Sequence, residues 1–396
     1  MRHRLDRPDL PRWRASLYRG SILVTVLLFS AGYATIGLAL VLLAVIVDGV
    51  TSRRLPWSRT DLDLLIGLFI GAFLLSAYMS EFRAVAVAST GLAALTIYLS
   101  FGPLSRMLRN DQEVVRPLLW TWVVGGMLAA LWATVRHLQS GLPAATPALG
   151  QNAVGTTMIA TTLLGLGLAA ADRSRLRLVA ASAAVMGAAS LLFSYTRGAW
   201  LGAVAGLALF MALGGRRVAA IVGVFTIVIT LGGAMAAGEE RRALVARALT
   251  ILSPSVNQNR IYLLRAGVAV WRDHPIIGTG MNTFSLLYQR YRLPGDPHSP
   301  EDRPNAHNMF VNIGAEGGVL GLGIFLAILA QALRLGFQWR GEAAGPENRI
   351  LRTAVLAALA GMLVHQVFDG TLISVHLGAG MWMLIAVVTT APQRDA

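Results

Sequence analysis

Residues 178–213 read LVAASAAVMGAASLLFSYTRGAWLGAVAGLALFMAL, two apolar runs with one charged side chain, Arg197, between them. Each run approaches the length a helix needs to cross hydrocarbon, where lipid offers an exposed backbone no partner and only a self-bonded helix is tolerated. The stretch reads as a helical hairpin across a membrane, with Ser194 to Trp200 as its turn. A guanidinium in so short a turn has little room to reach water. It faces either a cavity with a partner or lipid phosphate at the headgroup boundary.

The pattern extends in both directions. Further apolar runs fall near 20–33, 35–49, 62–80, 84–104, 115–135, 153–171, 218–237, 314–333, 350–369 and 371–390. With 55% hydrophobic and 14% charged residues, a soluble globular surface is excluded. The fold class expected is an all-α polytopic membrane protein of about 12 transmembrane helices, with one long extracytoplasmic loop containing short helices. Its parts are an N-terminal helical region 1–237, a loop 238–313 and a C-terminal helical region 314–396. The first two runs are separate helices, since Gly32 and Gly37 interrupt a stretch too long for one span.

That split also makes the charges agree. With the N-terminus inside, Arg53, Arg54 and Arg59, then Arg106, Arg109 and Arg116, then Arg173, Arg175 and Arg177, then Arg216 and Arg217, then Arg334, Arg340 and Arg349 all fall on the cytoplasmic side, as the positive-inside rule requires. Met1 to Gly20 reads as the lead-in to an uncleaved first helix, and both termini are expected in the cytoplasm. The net charge of +14 comes from arginines, many of which cluster in short loops between apolar runs and read there as topology signals and not as a nucleic-acid surface. There is no cysteine, hence no disulfide or thiolate chemistry.

The loop 238–313 is polar, rich in Arg, His, Pro and Asn, and too long to be a mere connection. Glu239 to Leu252 and Asn259 to Arg272 have helical apolar spacing, and both are expected on the membrane surface. Arg260 opens the second segment with Asn259 as its N-cap, a placement that favours anions because free N–H groups add to the guanidinium fork. Arg265 and Arg272 lie farther along, where the bland reading is a basic helix on anionic lipid. His307, in Asn305-Ala306-His307-Asn308, adjoins the next membrane helix, and a neutral imidazole there can take a hydroxyl proton. A lone His is also often a hydrogen-bonded structural residue.

Other polar constellations carry less. His298, Glu301, Asp302 and His307 fit no standard ligand spacing, so no metal site is expected. Asp61-Leu62-Asp63 reads as a charge pair at a helix start, and Gly278-Thr279-Gly280 as a turn. His365 and Asp369, one helical turn apart, either line a polar cavity or pair with each other.

Three stretches then carry a resemblance: Ser194 to Gly202; Asn259-Arg260 through His274-Pro275-Ile276-Ile277-Gly278-Thr279-Gly280 to Phe284; and Ala306-His307-Asn308 through Glu316-Gly317-Gly318-Val319-Leu320-Gly321. In order and spacing the chain resembles the O-antigen ligase and O-antigen polymerase superfamily (Wzy_C-like) of bacterial envelope glycosyltransferases, most of all an O-antigen ligase. One departure is Leu264, where the family often has Trp. The resemblance implies transfer of a glycan from undecaprenyl pyrophosphate to lipid A-core on the periplasmic side of the inner membrane, with inversion and with no metal, nucleotide sugar or other cofactor. Arg197 and Arg260 would hold the pyrophosphate, and His307 would activate the acceptor hydroxyl. Arg265, Asn308 and His365 complete the expected substrate-binding set, and the implied partners are the lipid-linked donor, the lipid A-core acceptor and membrane lipids.

Alternatives stay open at this point. A polymerase or a protein O-oligosaccharyltransferase of the same superfamily differs only in acceptor. A flippase or other transporter fits the helix number, although paired repeats with broken helices are not apparent. A non-catalytic membrane scaffold is the third.

Overall fold

The apolar runs become helices in the computed structural model, which describes residues 12–52, 59–235, 238–251, 253, 257–299, 301, 304–342 and 345–391. Arg53, Arg54, Asp302 and the stretch 254–256 lie outside the described residues. The first two runs are indeed distinct: α1 (Arg12–Ala31) and α2 (Ala34–Ser52) part at Gly32. There follow α3 (Asp63–Met79), α4 (Arg83–Asn110), α5 (Val115–Ser140), α6 (Gln151–Ala171) and α7 (Leu176–Phe193). α8 (Arg197–Ala234) is interrupted at Gly215, directly before Arg216 and Arg217, so the runs near 198–213 and 218–237 form its two arms. Seven helices are long and apolar enough to span a membrane, with shorter apolar helices beside them, and every described element is helical.

The bundle is organised around α6, buried without a break from Val154 to Ala171. Against it and α8 packs α13 (Gly345–His365), and α14 (Val375–Thr389) fills the space beside α4. Small residues permit this closeness. A Cβ on Gly202 would lie 2.4 Å from the Gly361 carbonyl oxygen, so α8 and α13 touch backbone to backbone. Without a hydrophobic drive between helices in lipid, such contact is what holds the bundle together.

The loop region carries α9 (Gly238–Leu249), α10 (Gln258–Asp273) and the short α11 (Phe284–Leu287) before α12 (Met309–Gly341). The expected surface position suits α9, none of whose residues is buried. It does not suit α10, which buries Leu263, Ala266, Gly267 and Val270 against α12, Phe284 and Tyr288. Its N-cap position is Asn257 and not Asn259; the Asn257 side chain makes no capping bond and its amide donates instead to the Ile251 and Ser253 carbonyls. Asp63, as expected, stands at the start of α3, where its carboxylate accepts from the Thr60 N–H at 2.9 Å.

A main-chain exchange fixes the loop to the bundle. α12 breaks at Gly318 (φ 63°), which frees N–H and carbonyl groups that a continuous helix would pair. The turn His274 to Gly280 takes them up: Thr279 and Gly280 donate to the Ala315 and Glu316 carbonyls at 3.1 and 2.8 Å, while Val319 and Leu320 donate to Pro275 and Ile276 at 2.8 and 3.1 Å. The backbones meet so closely that a Cβ on Gly318 would lie 2.1 Å from the Ile276 oxygen, and one on Gly278 (φ 69°) 2.3 Å from the Glu316 carbonyl carbon. Only glycine accepts both that conformation and that contact. Two motifs some 40 residues apart are thus the two sides of one joint.

Candidate functional site

Above α8 and α13, at the end of the bundle that bears α9 to α11, lies a cavity of about 290 Å³. It is lined by Arg197, Asn257, Arg260, Leu264, His307 and Phe368, among others. Three elements deliver its polar groups. Arg197 is the first residue of α8, and its buried guanidinium donates from Nη1 to the Thr250 carbonyl and from Nη2 to Asn257 Oδ1, both at 2.7 Å. Arg260 stands in the first turn of α10, where free N–H groups reinforce its charge. His307 precedes the Asn308 N-cap of α12.

His307 is held in a costly conformation. Its φ of 45° lies in the left-handed region that a non-glycine residue rarely occupies, at an expense of order 1–3 kcal/mol. The surroundings over-determine it: its N–H donates to Asn305 Oδ1 at 2.8 Å, Asn308 Oδ1 accepts from the Val311 N–H at 3.0 Å, and the Met309 N–H reaches the carbonyls of Gln366 and Asp369. Asn308 Nδ2 further donates to the Val367 carbonyl at 2.8 Å, so Asn308 braces the strap and lies outside the cavity lining.

Asp369 is the hub. Its buried carboxylate Oδ2 lies 3.5 Å from His307 Nδ1 and 3.7 Å from Arg260 Nη2, and accepts from Asn152 Nδ2 at 2.5 Å, while Oδ1 accepts from the Gly370 N–H. Burial alone would raise its pKa. The Arg260 guanidinium and the imidazoles of His307 and His365 that face it outweigh that and hold it below the usual carboxylate range. One anion therefore meets a guanidinium and an imidazole, with a second guanidinium beside them, leaving the cavity net cationic.

The expected site residues divide accordingly. Arg197, Arg260 and His307 come together in one cavity. His365 is fully buried beneath it, its Nδ1 2.9 Å from Thr156 Oγ1. It shares no helix face with Asp369, because α13 ends at His365. Arg265 is exposed and absent from the lining: five positions after Arg260 it points about 140° around the helix. His298 is bound to Asp296 Oδ1 at 2.7 Å, apart from the cavity. Asn152, Asn257 and Asp369 carry no motif that marks their part in the site.

A polar clamp closes one side. Tyr195, strained at φ 52° in the turn before α8, donates from its hydroxyl to Glu240 Oε2 of α9 at 2.6 Å. The same oxygen lies 3.3 Å from His137 Nε2, and Arg247 stands over the Tyr195 ring at 5.8 Å. Together with the Arg197 bond to Thr250, these contacts tie the otherwise unburied α9 to the bundle.

Residues 182–326 match the family model described as O-antigen ligase. The match runs from within α7 to within α12 and takes in Arg197, Arg260 and His307. No curated protein matches the chain.

Proposed function

We propose that this O-antigen ligase domain works as a metal-independent, inverting glycosyltransferase, moving a glycan from undecaprenyl pyrophosphate to lipid A-core on the periplasmic face of the bacterial inner membrane. The observation that carries the reading is the convergence of Arg197, Arg260 and His307 on one cavity. Arg197 and Arg260 hold the diphosphate, taking up the charge that grows on the leaving oxygen as the bond to the anomeric carbon breaks. Guanidinium groups suit that task, since they stay charged where a lysine would lose its proton.

His307 takes the proton of the acceptor hydroxyl as its oxygen attacks the anomeric carbon from the face opposite the diphosphate. One displacement inverts that carbon. Asp369 orients the ring and stabilises the imidazolium that forms, as the third member of a nucleophile, base and carboxylate series does. The loop helices then belong to the periplasm and both termini to the cytoplasm, the side on which the arginines of the short loops favour retention.

The test is transfer in vitro from a purified lipid-linked glycan to lipid A-core with chelator present. Product from the wild type and none from Arg197→Ala or His307→Ala, both correctly inserted, is expected. Chain growth on the carrier without transfer to lipid A-core would instead indicate a polymerase, and undiminished transfer by either variant would overturn the site assignment.

A further inference from the structure

The strap that holds His307 has a second side. Residues 304–309 and 366–371 pair through the Met309 N–H, with the basic cavity on one flank. On the other is a larger cavity of about 460 Å³, bounded by Pro304 and Asn305 from one segment and by Gly370 and Thr371 from the other. Its chemistry differs from that of its neighbour. Among the described residues no arginine lines it; the lining offers Asn282, Ser285, Asn305, Asn312 and His376, with Glu316 at its wall.

These groups are neutral amides, hydroxyls and an imidazole, which donate and accept in pairs as sugar hydroxyls require. Glu316 is itself engaged, accepting from the Phe284 N–H at 3.2 Å. Asn282 is held in the left-handed region at φ 62°, a strained placement of a polar side chain at the cavity edge. His376 Nδ1 is buried with no protein partner.

An apolar cavity of about 280 Å³ continues from this one, sharing Asn282, Glu316, Ile373 and Ser374, and runs between Phe73, Phe325 and Trp382. Polar and apolar spaces joined in this order fit one amphipathic molecule: a sugar head on a hydrocarbon anchor.

We propose that the pair of cavities is the acceptor subsite, selecting an unphosphorylated sugar unit through Asn282, Ser285 and His376 and seating its lipid anchor in the apolar extension. The proposal rests on the transferase reading, and makes the strap the partition across which His307 reaches from the donor side to the acceptor hydroxyl.

The experiment measures binding of purified lipid A-core, and of lipid A stripped of core sugars, to the full chain in lipid nanodiscs, for the wild type, Asn282→Gly and His376→Ala. Glycine accepts the φ of residue 282, so the first variant removes the amide without disturbing the backbone. Each lost hydrogen bond is expected to weaken lipid A-core binding roughly 3- to 10-fold while lipid A without core sugars binds as before. In transfer assays the acceptor KM rises by the same factor, with the donor KM unchanged. Unaltered lipid A-core binding in both variants, or equal weakening for the stripped lipid, would overturn the proposal. The binding arm needs no turnover, so an absence of transfer by the wild type would count against the transferase reading and leave the subsite to be decided by binding.

Discussion

Replacing Asp369 by Asn keeps the volume of the hub and removes its charge. When His307 takes up a proton, the imidazolium lies 3.5 Å from Asp369 Oδ2. At an effective dielectric constant of about 20 that separation corresponds to roughly 5 kcal/mol of attraction. A transition state with the proton half transferred feels about half of it, so kcat is expected to fall roughly 30- to 60-fold. The donor KM is expected to hold steady or to drop, since removing an anion leaves Arg260 freer for phosphate. The sign with pH follows from the same carboxyl. Its pKa is held below the usual range, so its contribution is present above the unfolded value of about 4 and is lost only as pH falls through the lower folded value. Initial rates of glycan transfer against both substrates provide the assay. A kcat within threefold of the wild type, with only the donor KM altered, would refute the orienting role and leave Asp369 a counter-charge for Arg260.

Four further outcomes are expected. Arg197→Lys cannot donate to the Thr250 carbonyl and Asn257 Oδ1 together, and is expected to lower kcat/KM for the donor roughly 10- to 100-fold in the same assay, where an unchanged value would exclude a phosphate-binding role. Gly318→Ala puts a Cβ 2.1 Å from the Ile276 oxygen at a φ of 63°, and should destabilise the protein by about 3 kcal/mol or more, read as a lowered melting temperature in detergent. Glu240→Gln weakens the clamp on α9, so proteolysis between 238 and 253 should quicken while the melting temperature of the bundle holds. Asp296 is raised by burial, but bonds from the Tyr288 hydroxyl and from the His298 N–H and ring bring it below the usual carboxylate range. Asp296→Asn should therefore cost about 1–3 kcal/mol above pH 4, with the difference from the wild type vanishing as pH falls through the depressed folded value.

What could be read from residue order was what depends on composition along a stretch. Lipid forces each apolar run to pair its own backbone, so the separation of α1 from α2 and the helices of the loop are visible without any tertiary partner. Arg197 stood out because a lone charge between two spanning runs must have a reason. What escaped depends on contacts across the chain. The burial of α10 comes from α12, and the exchange of hydrogen bonds between the 274–280 turn and the α12 break has no signal but glycines that also suit ordinary turns. Asp369 looked like a neighbour of His365 on one helix face; the helix stops at His365, which turns Asp369 toward His307, Arg260 and Asn152. Arg265 shares its segment with Arg260 yet faces away, since helical rotation and not sequence proximity decides which side chains meet.

The most direct measurement is a structure of the protein in nanodiscs with undecaprenyl pyrophosphate bound. Both phosphates are expected in the 290 Å³ cavity, within hydrogen-bond distance of the Arg197 and Arg260 guanidinium groups, with the His307 ring facing the anomeric position. Phosphate density at the opposite end of the bundle, among Arg173, Arg217 and Arg349, with the Arg197 cavity left empty, would contradict the assignment.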